Sequence, residues 1–220
     1  MGERVGHPLL LGHRGARAVR SIPENTIASF DRGLADGCDG FEFDVRLAAD
    51  GAAVVCHDAR FGHVEIAQTR AWDLAGLAGL EEILARYAER AFLDIELKVS
   101  GLERIVARLL RQHQPQRGFV VSSFLPEVIE AVRAEDAAMP LGLICETRAE
   151  LARWDQLPVE YVMPQEKLAT EALIRQLRAA GKRVVVWTVN DAAEMRHFAR
   201  AGVDGIISDD TALLCRTLAP

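Results

Sequence analysis

Lysine is almost missing from this chain. Only Lys98, Lys167 and Lys182 occur among its 220 residues, and arginine carries the rest of the positive charge. With a net charge of −6 and no basic stripe, the chain lacks the electrostatic footprint of a nucleic-acid binder. Cysteine is scarce too. Cys38, Cys56, Cys145 and Cys215 are spread along the chain without a CxxC pair, which argues against a zinc site or a disulfide framework. Cys56 and Cys145 fall in apolar runs, where a thiol behaves as a small buried hydrophobe. No apolar run is long enough to span a bilayer, and the first residues show neither a signal-peptide hydrophobic stretch nor a myristoylation spacing after Gly2. A cytoplasmic protein without a stable membrane anchor is expected. Linkers, low-complexity tracts and charge blocks are absent, so one domain over residues 1–220 is expected.

What is present is a large apolar fraction, half of all residues, and a strongly patterned stretch. Gly40-Phe41-Glu42-Phe43-Asp44-Val45-Arg46 alternates with period two. Read as a strand, it sends Phe41, Phe43 and Val45 to one face and Glu42, Asp44 and Arg46 to the other. Two carboxylates on one face repel each other, and a bound cation is the simplest offset. The plainer reading is an edge strand with a solvated charged face.

The rest of the chain alternates strands and helices. Leu9-Leu10-Leu11 runs into Gly12-His13-Arg14-Gly15. Ser21 and Glu24 have capping-box spacing and predict a helix over residues 21–35, with Glu24 as a capping residue. After the Glu42/Asp44 strand, Asp50-Gly51 predicts a hairpin that folds residues 53–58 back and carries His57 toward Glu42. Residues 59–79 show no period. A helix from Leu80, a strand containing Asp94, Glu96 and Lys98, and five more such alternations follow. Eight strand–helix units predict a closed (β/α)8 TIM barrel in a single domain. An open doubly wound sheet is the rival, but no GxGxxG follows the first strand.

In such barrels the active site lies at the C-terminal ends of the strands. Those ends carry His13 and Arg14, Glu42 and Asp44, His57, Glu96 and Lys98, Ser122-Ser123-Phe124, Glu146, Gln165, Trp187 and Ser208-Asp209. A purely structural barrel has no use for that concentration, so an enzyme is expected. Two histidines at one end form a candidate acid–base pair. Glu42, Asp44 and Glu96 form an oxygen-only set suited to Mg²⁺ or Ca²⁺, the alternative being an ion-pair network with Arg14, Arg46 and Lys98. Lys98 could form a Schiff base as in aldolases, but Glu96 on its own face favours a charged ammonium. Phe124 and Trp187 are candidate substrate contacts, with packing at the barrel mouth as the alternative for Trp187. Asp209, where the last helix starts, reads as a cap.

Gly12-His13-Arg14-Gly15, Pro23-Glu24-Asn25-Thr26, Glu42-x-Asp44-Val45, Asp50-Gly51 leading to His57-Asp58, Glu96-x-Lys98, Trp187-Thr188-Val189-Asn190 and the stretch from Gly202 to Asp209 occur in this order. Together they resemble the glycerophosphodiester phosphodiesterase family, from about residue 9 to the end. The resemblance implies a TIM barrel, a divalent cation, and cleavage of glycerophosphodiesters to sn-glycerol 3-phosphate and an alcohol. It implies His13 and His57 as catalytic histidines, Glu42, Asp44 and Glu96 as metal ligands, and Arg14 and Lys98 beside the phosphate. The attacking hydroxyl is that of water or of the substrate's own glycerol. The insertion after the second strand is shorter than the family's usual one, which leaves room for larger headgroups or lysolipids. A lysophospholipase D or sphingomyelinase D-like activity, and a barrel that binds phosphodiesters without cleaving them, are the alternatives.

Overall fold

The computed structural model describes residues 7–218. The stretch read for a targeting signal, residues 1–6, lies outside the described residues. In chain order the elements are β1 (Leu9–His13), α1 (Ile27–Ala35), β2 (Gly40–Leu47), β3 (Ala53–Val55), β4 (Arg60–Phe61), β5 (Val64–Glu65), α2 (Leu80–Tyr87), β6 (Phe92–Leu97), α3 (Glu103–Gln112), β7 (Phe119–Ser123), α4 (Pro126–Glu135), β8 (Leu141–Cys145), α5 (Arg148–Leu151), β9 (Tyr161–Pro164), α6 (Glu171–Ala179), β10 (Arg183–Val186), α7 (Ala192–Ala201), β11 (Gly205–Ser208) and α8 (Thr211–Leu218).

Eight parallel strands close on themselves in the order β1, β2, β6, β7, β8, β9, β10, β11, with β11 pairing back onto β1. This is the expected (β/α)8 barrel. The predicted hairpin forms as well. β3 runs antiparallel to β2, with Arg46 opposite Val54, and extends the barrel wall outward. Gly40 starts β2 because a side chain there would strike the Phe92 carbonyl oxygen at 1.9 Å.

The alternation along β2 distributes its residues between two interiors, not between core and water. Phe41, Phe43 and Val45 face outward beneath the helices, where Phe41 stacks on Phe30 at 4.2 Å and meets Tyr87 edge-on at 4.9 Å. Glu42 and Asp44 face inward and are buried, 4% and 0% exposed. The edge-strand reading therefore fails. Inside the barrel, Leu11, Phe92, Val120, Ile144, Tyr161, Met163, Val185 and Ile207 form one apolar plug. Every barrel strand except β2 contributes to it. The two inward positions of β2 hold carboxylates instead, directly above that plug.

Residues 59–79 fold into the two-residue strands β4 and β5 and two single 3₁₀ turns, Ile66–Gln68 and Ala71–Asp73. Elements this short have no detectable period. Ile66 and Leu74 anchor them on Ala48 and Val54. The Ala71 N–H also donates to the Asp50 carboxylate at the tip of the hairpin, so the insertion sits at the C-terminal end of the barrel strands. The first helix starts later than its sequence suggested. Thr26, not Ser21, is the N-cap, accepting from the Ser29 N–H, and residues 21–25 form turns. All four cysteines are free. Cys38 and Cys215, far apart in sequence, bring their Sγ atoms to 3.6 Å in the buried seam between α8 and the start of β2. Among the described residues, no helix is long and apolar enough to cross a membrane.

Candidate active site

Strand register assembles the site. His13 lies beside Glu42 across β1 and β2, and Asp44 lies beside Glu96 across β2 and β6. Because both strands send the same parity inward, Glu42, Asp44 and Glu96 converge, each offering an oxygen within 4.8 Å of the others. The Nε2 atom of His13 stands 3.8 Å from Glu42.

Three buried carboxylates cost free energy unless countered by positive charge. Lys98 lies 2.5 Å from Glu96 and 3.4 Å from Asp44, and the Arg14 Nε lies 3.1 Å from Asp44. Arg46 does not join them, since its Nε donates to the His57 carbonyl at 2.8 Å. Two cations thus face three carboxylates, with Asp94 as a fourth acid just below. The imbalance appears in the titration of the acids. Burial, then the neighbouring Asp44 and Glu96 carboxylates, raises Glu42 well above the usual range. Burial, then Asp44, raises Glu96 against the pull of Lys98. Burial pushes Asp94 up to about 7, although the Ser122 hydroxyl donates to it at 2.6 Å. Glu42 Oε1 and Asp44 Oδ1 are buried without a hydrogen-bond partner. An ion-pair network reaches Asp44 Oδ1 only through Lys98 at 3.4 Å and leaves Glu42 Oε1 with no partner, whereas a divalent cation fits both. The donors are all oxygen, as Mg²⁺ and Ca²⁺ require.

The first loop is built to hold this cluster. Arg14 adopts φ +50°, a left-handed conformation uncommon for a side-chain-bearing residue, and there its N–H donates to Glu42 at 3.0 Å. Asn25, also left-handed at φ +57°, donates its amide to Asp44 at 2.8 Å. Glu24 is not a cap. It accepts from Arg14 and Arg17, both at 2.7 Å, and so fixes the Arg14 guanidinium.

His13 and His57 line one cavity of about 350 Å³ together with Arg14, Glu42, Glu96 and Lys98. Phe124 and Trp187 form its apolar wall, packed edge-to-face at 5.6 Å, and Glu146 also borders it. Trp187 is fixed by its indole N–H, which donates to the Met163 carbonyl at 2.7 Å. Asp94, Ile144, Met163 and Ile207 complete the lining. His57 is paired through Nδ1 with its neighbour Asp58 at 2.8 Å.

Asp209 was misread as a cap. Asp210 caps α8, accepting from the Leu213 N–H at 2.8 Å. Asp209 instead meets His13 Nδ1 at 2.6 Å and accepts from Asn190 at 2.8 Å. Burial would raise its carboxyl, but His13, Asn190 and Arg17, the last at 3.2 Å, together outweigh that and hold it far below the usual range. Gly12 is in register with Ser208, so barrel closure sets His13 next to Asp209. A prediction of closure contains this contact, because the first and last strands become neighbours.

A model of the glycerophosphoryl diester phosphodiesterase family matches residues 13–94 and 82–213. A glycerophosphodiester phosphodiesterase of Caldanaerobacter subterraneus is 27% identical over 231 residues, covering 92% of this chain and 94% of the relative. The crystal structure of a glycerophosphodiester phosphodiesterase from Thermotoga maritima gives a TM-score of 0.83 at 23% identity, covering 96% of this chain and 98% of that one. An Oleispira antarctica phosphodiesterase, solved in complex with the product sn-glycerol-3-phosphate, gives a TM-score of 0.83 at 24% identity, covering 97% and 98%.

Proposed function

The chain belongs to the glycerophosphoryl diester phosphodiesterase family, and on that premise we propose that it is a single catalytic domain hydrolysing glycerophosphodiesters to sn-glycerol 3-phosphate and an alcohol. The observation that carries the reading is that His13 and His57 line one cavity with Glu42 and Glu96, whose carboxylates converge with that of Asp44 while Glu42 Oε1 is left without a partner. The sn-glycerol-3-phosphate held by the Oleispira antarctica relative supports the choice of product.

Glu42, Asp44 and Glu96 would hold a divalent cation, Mg²⁺ or Ca²⁺. When bound, that ion supplies positive charge against a non-bridging phosphate oxygen. Arg14 and Lys98 bind the phosphate and share the negative charge that develops on it. Of His13 and His57, one accepts the proton of the attacking hydroxyl, from water or from the substrate's own glycerol. The other donates a proton to the departing alkoxide as its P–O bond breaks. Asp209 is a positioning residue: it fixes the His13 ring and leaves Nε2 facing the cavity. Phe124 and Trp187 enclose the organic part of the substrate and exclude water from one side.

The test is release of glycerol 3-phosphate from glycerophosphocholine by the purified protein with Mg²⁺, with Ca²⁺ and with EDTA. Metal-dependent, EDTA-sensitive release is expected, and His13→Ala and His57→Ala should each abolish it. Near-normal turnover by either variant would refute the paired role. One observation favours a second reading. Phe61, Val64 and Trp72 are the exposed large hydrophobics among the described residues, Trp72 at 81%, and all belong to the insertion at the catalytic end. A lysolipid substrate would use that rim. Lysophosphatidylcholine cleavage exceeding that of glycerophosphocholine would select this reading, and a loss of that excess in Trp72→Ser would place the lipid contact there.

A further inference from the structure

The meeting of Cys38 and Cys215 plays no part in the chemistry above, and its surroundings are built with care. Helix α8 packs against the end of α1 through two contacts one turn apart. The Thr211 hydroxyl donates to Asp36 at 2.6 Å, and four residues later Cys215 Sγ reaches Cys38 Sγ at 3.6 Å. Thr211 and Cys215 therefore share one face of α8. The turn between the partners depends on Gly37, whose φ of +106° disfavours any side chain. The Cys38 N–H returns to the Gly33 carbonyl at 3.1 Å, so both sulfurs sit on anchored backbone.

We propose that Cys38 and Cys215 are a disulfide-forming pair, oxidised by hydrogen peroxide to an intrachain bond that locks α8 onto the barrel. The sulfurs must close by about 1.5 Å to reach bonding distance, a displacement within side-chain rotation. The chemistry balances with peroxide as the oxidant. One thiolate sulfur attacks the O–O bond, forming a sulfenic acid and, after protonation, one water. The second thiol sulfur then attacks the sulfenic sulfur, forming the S–S bond and releasing a second water. The two thiols lose two electrons in total and the peroxide gains them. Either sulfur can act first, since each thiol can donate to the other across the contact. Both residues are buried, 7% and 5% exposed, so the oxidation depends on local opening of the α8 seam.

The bond would span a sequence separation of 177 residues, enclosing most of the barrel. A cross-link that long removes much of the unfolded chain's freedom, so the folded state gains. It lies outside the cavity, so turnover at moderate temperature should not change.

The experiment uses the purified full chain. Free thiols are counted in denaturant before and after peroxide treatment, the bond is located by peptide mass mapping, and melting is followed with and without dithiothreitol. The expected result is loss of two of the four thiols, one mapped Cys38–Cys215 bond, and a melting temperature higher by about 10 °C that dithiothreitol reverses. In Cys215→Ala no bond to Cys38 forms. Four thiols surviving treatment, a bond mapped to another cysteine, or a bond that lowers the melting temperature would each overturn the proposal. Comparing oxidised with reduced wild-type protein needs no variant to fold.

Discussion

Asp209→Asn tests the assembly of the site most directly. The perturbation keeps the shape of the side chain but removes its charge and one of the two acceptor oxygens that meet His13 Nδ1 at 2.6 Å and Asn190 at 2.8 Å. Side-chain exposures of 13% for His13 and 19% for Asp209 mean that little water competes for the pair. A hydrogen bond with an ionised partner in such surroundings contributes about 1.5–3 kcal/mol. If His13 carries positive charge only as it moves a proton, that contribution belongs to the transition state. At about 1.4 kcal/mol per decade of rate, kcat should fall about 10- to 150-fold, with KM changed little. The assay is steady-state turnover of glycerophosphocholine at saturating divalent cation, with melting temperature recorded in parallel. Asn190→Ala is the control, since it removes a partner of Asp209 without touching His13. A kcat within threefold of wild type would refute the positioning role, as would a loss confined to KM.

Glu42→Gln should abolish turnover yet raise the melting temperature of the metal-free protein, because it relieves a buried carboxylate whose protonated form the fold favours. Thermal shift in EDTA checks the sign, and the same variant should lose the extra stability that wild type gains from Mg²⁺ or Ca²⁺. Asp94 gives a pH signature. Its folded pKa of about 7 lies above the unfolded value, so its contribution is fully present below about pH 4 and is lost as pH rises through 7. In metal-free protein the loss is about 4 kcal/mol, and urea titrations at several pH values should show it flattened in Asp94→Asn. Phe41→Ala opens a cavity between Phe30 and Tyr87 and should cost about 3–5 kcal/mol, seen as a melting temperature lower by about 10 °C.

The fold was legible because eight strand–helix alternations punctuate the chain, and because polar residues gather at strand ends while the strands themselves are apolar. Glu42, Asp44 and Glu96 stood out because carboxylates two apart on a strand share a face. The residues that hold them did not. Asn25 and Glu24 sit among helix-start residues, and local sequence cannot distinguish a cap from a ligand to Asp44 or Arg14. Asp209 was readable only through barrel closure, which brings it to a partner 196 positions away, and its place before a helix suggested a cap instead. Cys38 and Cys215 were hidden the same way, their contact made by packing and not by spacing. Residues 59–79 gave no signal because their strands are two residues long.

Barrel closure through β1 and β11 also has a consequence in time. During synthesis, His13, Glu42, Asp44, His57 and Glu96 all precede the midpoint of the chain, so a half-made polypeptide already contains the two cavity histidines and the three clustered carboxylates. It lacks β11, which must zip against β1 to complete the wall, and it lacks Asp209, which directly follows that strand. A nascent chain is therefore unarmed until its final segment has left the ribosome. A premature stop shortly before residue 205 should leave a fragment that carries His13, His57 and the three clustered carboxylates and hydrolyses no glycerophosphodiester.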